Sequence, residues 1–124
     1  MTKRMQVYVC ARCGNMVEVL RAAGGTLVCC GQPMGLAEEN TVDASQEKHL
    51  PVVERAGGKV VVKVGSTPHP MTPEHWIELV EIVQDNTIVR RFLSPEDEPA
   101  AEFACPGGEV SARAYCNLHG LWKA

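Results

Sequence analysis

The sequence predicts a mainly β chain in two parts: a short cysteine-rich segment, then a larger antiparallel β-sandwich. Three observations predict it. Four of the six cysteines lie within residues 1–36, whereas all four histidines lie beyond residue 45. Short valine-rich runs recur between Gly, Asn and Asp turn signals. No stretch keeps a 3.6-residue apolar period over three turns, which argues against helices.

The first segment offers strands at 6–9, 17–20 and 26–28, with Gly24-Gly25 turning the chain between the last two. A domain of fewer than about 40 residues buries too little apolar surface to fold unaided and needs a metal, disulfides or a partner. The second part offers strands at 50–54 and 59–64 around Gly57-Gly58, a hairpin signal. Strands at 76–83 and 87–92 flank the turn Asp85-Asn86, and 110–115 alternates in polarity after Gly107-Gly108. Regular short strands with such turns suggest a sandwich. The stretch 37–45 is polar, acidic and aperiodic, and reads as a linker or an edge segment. We therefore expect a metal-binding domain at 1–37, a linker at 38–45 and a sandwich domain at 46–124.

Composition excludes several classes. Hydrophobic residues make up 45% of the chain, enough for a core, but only 5% are aromatic, so aliphatic side chains must fill it. The net charge of −3 supplies no basic footprint for nucleic acid. No apolar run approaches the roughly 20 residues of a membrane-spanning helix. The N-terminus is basic, but no long apolar stretch follows it, so no secretory signal is expected. These features point to a reducing cytoplasm, where six cysteines read as metal ligands before disulfides.

The cysteine spacing supports that reading. Cys10 and Cys13 form a C-x-x-C knuckle with Gly14 to turn the backbone, and Cys29 and Cys30 are adjacent. Neighbouring cysteines rarely bond each other, because the geometry is strained. Successive strand residues point to opposite faces, so both sulfurs can reach one metal only through a bent backbone, which Gly31 can supply. Zinc and iron both accept four thiolates, and spacing alone does not choose between them.

A second ligand set emerges from the histidines. His49 leads into a strand. His69 and His75 sit in a loop stiffened by Pro68, Pro70 and Pro73. Cys116 and His119 lie three residues apart, a spacing that suits two ligands on one tight turn. A lone histidine usually has no metal, but all four here lie at turns or strand ends. Five candidates with a nitrogen majority suit a redox iron or copper better than structural zinc, which stops at four. Cys105 matches neither set and reads as a thiol packed before the Pro106-Gly107-Gly108 turn.

Together these residues resemble a known family. Cys10-Ala11-Arg12-Cys13-Gly14-Asn15 and Cys29-Cys30-Gly31-Gln32-Pro33-Met34 resemble desulforedoxin. Glu47-Lys48-His49, His69-Pro70-Met71 with Glu74-His75, and Cys116-Asn117-Leu118-His119-Gly120-Leu121-Trp122 resemble the superoxide reductase domain, also called neelaredoxin. The combination is similar to desulfoferrodoxin and covers nearly the whole chain. The resemblance implies an immunoglobulin-like sandwich, a homodimer and two mononuclear irons. One iron would sit on Cys10, Cys13, Cys29 and Cys30. The other would take four equatorial nitrogens from His49, His69, His75 and His119 and an axial sulfur from Cys116. Glu47 would be the carboxylate that fills the sixth position in the ferric state, and Lys48 the cation beside it. The implied activity is one-electron reduction of superoxide to hydrogen peroxide, an oxidative-stress detoxification with electrons from a rubredoxin-like donor. A superoxide dismutase or a non-catalytic rubredoxin-like electron carrier is the alternative.

Overall fold

The computed structural model describes residues 1–42, 49–105 and 107–124. Two compact units divide the chain, Met1–Glu38 and Glu39–Ala124. Every named element is a strand.

In the smaller unit β1 (Val7–Val9) is flanked by β2 (Met16–Glu18) and, after two short strands, by β5 (Gly35–Ala37), all antiparallel. Between them β3 (Val28–Cys29) pairs with β4 (Gln32–Pro33). The β3–β4 connection is only Cys30-Gly31, and both residues have positive φ, +53° and +74°. Positive φ at both central residues defines the type I′ hairpin turn. The bend expected at Gly31 therefore begins at Cys30 itself, in a backbone region that non-glycine residues seldom occupy. Little apolar surface is buried here. Among the described residues of this unit only Val7, Cys10 and Val19 are buried.

The larger unit is a sandwich of two antiparallel sheets. One runs β10 (Ala100–Ala104), β7 (Lys59–Val64), β6 (Pro51–Ala56). The other runs β12 (Gly120–Lys123), β11 (Ser111–Cys116), β8 (Ile77–Gln84), β9 (Thr87–Phe92). A three-plus-four antiparallel sandwich is the immunoglobulin-like architecture. Gly57-Gly58 and Asp85-Asn86 form its two-residue hairpin loops, because Ala56 pairs with Lys59 and Gln84 with Thr87.

Alternation places every second side chain inside. Val60, Val62 and Val64 of β7 meet Val80 and Ile82 of β8, Ala112 and Ala114 of β11, and Phe103 of β10. Phe103 is the one aromatic residue of that cluster, so the core is aliphatic, as the composition requires. Two short strands absent from the sequence reading, β10 and β12, complete the two sheets. Within the stretch read as linker or edge, Glu39 and Asn40 belong to this unit, and Asn40 forms a parallel bridge to Trp122 on the β12 edge.

Candidate metal centres

In the smaller unit the sulfurs of Cys10, Cys13, Cys29 and Cys30 lie within 4.8 Å of one another. Cys13 and Cys29 are 3.6 Å apart, and Cys29 and Cys30 4.0 Å. Four sulfurs about 2.3 Å from a central ion would stand about 3.8 Å apart at the corners of a tetrahedron, so the set fits one ion. The knuckle is tied by Cys10 N–H to Asn15 O and Gly14 N–H to Cys10 O, at 2.8 and 3.0 Å. Gly14 takes φ +83° there.

Hydrogen bonds prepare the sulfurs for negative charge. Cys13 N–H donates to Cys10 Sγ at 3.4 Å, and Asn15 N–H to Cys13 Sγ at 3.4 Å. Asn15 Nδ2 donates to Cys29 Sγ at 3.7 Å. The main-chain N–H groups of Cys13 and Arg12 lower the Cys10 pKa to about 6. Contact with Cys13, then Cys10 and Cys29, pushes Cys30 up to about 12. Crowded thiols resist joint ionisation, and a cation at their centre removes that resistance. Asn15, seen in the sequence only as part of a motif, is a donor to two of these sulfurs.

In the larger unit the donor atoms of His49, His69, His75, Cys116 and His119 also lie within 4.8 Å of one another. They gather at one end of the sandwich. His49 precedes β6, His69 and His75 occupy the β7–β8 connection, Cys116 ends β11, and His119 lies in the turn to β12. Since Pro51 pairs with Val64, and Cys116 with both Ile77 and Gly120, all these chain segments meet at that end.

The imidazoles form a square. Ring centroids are 4.6 Å apart for His49–His69, 4.7 Å for His69–His75, 5.0 Å for His75–His119 and 4.8 Å for His119–His49. His49 and His75 stand 6.5 Å apart, close to the diagonal of a square with such edges. A tetrahedral set would make all these separations alike. Cys116 belongs to the buried core cluster, so its sulfur approaches from the core side, 3.7 Å from His119 Nδ1. Four imidazoles at the corners of a square and one core-cluster thiol would together suit a five-coordinate metal ion.

Local structure selects the ligating atoms and aims them. His69 Nδ1 donates to the Pro70 carbonyl at 2.8 Å, which fixes the tautomer and directs Nε2 to the centre. His49 Nε2 and His119 Nδ1 face each other at 3.1 Å. A register shift between Tyr115 and Cys116 makes Cys116 pair with Ile77, leaving Glu78 as the extra residue. Such bulges re-aim side chains beside functional sites. Trp122 stacks on His49, with centroids 4.6 Å apart and planes 15° from parallel, and its Nε1 donates to the His119 carbonyl at 3.2 Å. Asn117 bonds the main chain beside His75. Sequence reading had no role for Trp122 or Asn117, because neither is a ligand type for the metals considered.

Cys105 joins neither set. It is buried, with Sγ 3.9 Å from both terminal nitrogens of Arg55 and 3.6 Å from Gln84 Oε1. All six cysteines are free of disulfides. Glu47 and Lys48, singled out in the sequence, lie outside the described residues.

A mainly β chain with a four-thiolate cluster and a separate square of imidazoles over a thiolate is a two-centre metalloprotein. Comparison with known proteins assigns the family. The desulfoferrodoxin family model matches residues 41–124, and the model of the desulfoferrodoxin N-terminal domain matches residues 2–37. The chain is 57% identical to the desulfoferrodoxin homolog of Archaeoglobus fulgidus, across all of this chain and 99% of that one. It is 52% identical to the desulfoferrodoxin of Nitratidesulfovibrio vulgaris, across all of this chain and 98% of that one. The crystal structure of the superoxide reductase from Treponema pallidum superposes with a TM-score of 0.82 at 33% identity, covering 99% of both chains. The chain belongs to the desulfoferrodoxin family. Its two donor sets are accordingly those of two mononuclear iron ions, one on four cysteines and one on four histidines and a cysteine.

Proposed function

We propose that this chain is a superoxide reductase that converts superoxide to hydrogen peroxide at the histidine–cysteine site. The observation that carries this reading is the square of four imidazoles with Cys116 on its core side. His75 and His119 are the least buried of the five donors, so a small anion would reach the set from their side. The iron, when bound, supplies one electron to superoxide, which with two protons becomes hydrogen peroxide.

Charge favours this site over the other. A divalent ion with four neutral imidazoles and one thiolate carries one net positive charge, whereas on four thiolates it carries two negative ones. Superoxide is therefore drawn to the histidine set even though the chain as a whole is negative. The Cys116 thiolate would donate electron density toward a bound ion, which would favour electron release. We assign Lys48 to attracting the anion and Glu47 to closing the outward face after turnover, on the strength of the Glu47-Lys48-His49 motif. The four-cysteine site has a full ligand set and serves electron passage.

The domain assignment is 1–37 for the electron-transfer domain, 38–45 for the linker and 46–124 for the reductase domain. The two compact units and the two family matches support it. Among the described residues no helix is long and apolar enough to cross a membrane. We assign the protein to the cytoplasm, as a homodimer fed by a rubredoxin-like donor in superoxide detoxification, from its resemblance to the two-domain form. The test is stoichiometry. Protein loaded with two irons should consume one donor electron per superoxide and evolve no oxygen. Oxygen evolution without donor consumption would make it a dismutase, and no reaction with superoxide would leave only an electron carrier.

A further inference from the structure

The five donors come from separate stretches of chain, and something must hold those stretches in register. His49 and His69 are 1% and 3% exposed, so packing restrains them. His75 is less buried. Its own turn is closed by Thr72 N–H to His75 O at 2.9 Å and His75 N–H to Thr72 O at 3.1 Å. That turn fixes its local shape but not its distance from Cys116 and His119.

The β8–β11 pairing ends at Ile77 and Cys116, and Asn117 extends that link to the main chain around His75. Its Oδ1 accepts from Trp76 N–H at 2.9 Å, and its Nδ2 donates to the Glu74 carbonyl at 2.9 Å. Its own N–H donates to the Trp76 carbonyl at 3.2 Å. One side-chain amide thus grips the main chain on both sides of His75. The gripping residue directly follows Cys116 and lies two residues before His119. We propose that Asn117 is a positioning residue that sets the His75 imidazole on the metal by locking the His69–His75 loop to the Cys116–His119 turn. The inference rests on reading the five donors as a metal site. Asparagine is required because it carries an acceptor and a donor on one short arm. Aspartate keeps only the acceptor, and alanine keeps neither.

The test uses the full-length apoprotein titrated with cobalt(II), whose visible bands on four thiolates differ from those on imidazoles. The apparent Kd is read for each site. Asn117→Ala should weaken the histidine–cysteine site about tenfold or more, the effect typical of losing a group that orients a ligand. It should leave the four-cysteine site unchanged. In a His75→Ala background the same substitution should have little further effect, because no imidazole remains to be placed. Asn117→Asp should fall between wild type and Asn117→Ala, and it carries the test if the alanine variant does not fold. Equal weakening in the His75 and His75→Ala backgrounds, or no weakening at all, would overturn the positioning role alone. A wild-type protein that binds no cobalt on its histidines would overturn the metal-site reading, and this inference with it.

Discussion

Two buried thiols share the core cluster of the larger unit, Cys105 and Cys116, and only Cys116 faces histidines. Cys105 faces Arg55 and Gln84 instead. Cys116→Ser should abolish the sulfur-to-iron charge-transfer band of the ferric protein and nearly all superoxide reduction. Cys105→Ser should keep both. Visible spectra and stopped-flow traces of the two variants check this, and a reversed outcome would put the thiolate on the wrong residue. Glu47 and Lys48 are neighbours of opposite charge with opposite assigned roles. Lys48→Ala should slow the second-order reaction about tenfold and flatten its dependence on salt, since less attraction remains to be screened. Glu47→Ala should leave that rate unchanged or slightly raised while altering the ferric spectrum. At this scale the ligands were legible because few residue types bind iron and their spacing was distinctive. Asn15, Asn117 and Trp122 were not, because their partners are main-chain atoms, sulfurs and a ring that come close only after folding.

Among the elements, the hairpin strands β7 and β9 were legible to the residue, since alternation and turn chemistry are both local. Strand β10, Ala-Ala-Glu-Phe-Ala, has weak β propensity and forms because β7 offers it a partner edge. The polarity of β11 was legible but not its meaning. Arg113 is 2% exposed and bonds Glu81, also 2% exposed, at 2.9 Å across the β8–β11 register. Glu39 at 3.1 Å and Arg90 at 2.9 Å extend the network. A buried guanidinium beside a buried carboxylate cannot be foreseen from either strand alone. Removing one member of such a pair leaves the other charge short of compensation in a dry site. Glu81→Ala should therefore cost about 3 kcal/mol of unfolding free energy. Glu102→Ala, which removes an exposed partner 3.8 Å from Lys59, should cost under about 1 kcal/mol. Urea titrations of the two variants read the contrast, and equal costs would show that burial of the pair does not matter.

At the scale of the whole molecule, the two units differ in what holds them. The larger one buries a continuous cluster contributed by both of its sheets. The smaller one buries Val7, Cys10 and Val19 among its described residues, and Cys10 is itself a member of the donor set. Two valines do not offset the conformational entropy of ordering more than thirty residues. The metal must therefore contribute most of the folding free energy of the smaller unit, as in other small metal-dependent domains. Protonation enters the same balance. Cys29 and Cys30 both have raised pKa values, chiefly through contact with Cys13, so loading a cation must expel their protons. Fewer protons need displacing as pH rises, so apparent affinity should rise with pH, and acid should release this metal. Calorimetry of the full chain is the measurement. Chelation of the four-cysteine metal, or Cys13→Ser, should remove one thermal transition and leave a second close to its wild-type position. Lowering the pH of the loaded protein should move the first transition down before the second. A chelated protein that keeps both transitions would show that the small unit is held by something other than its metal.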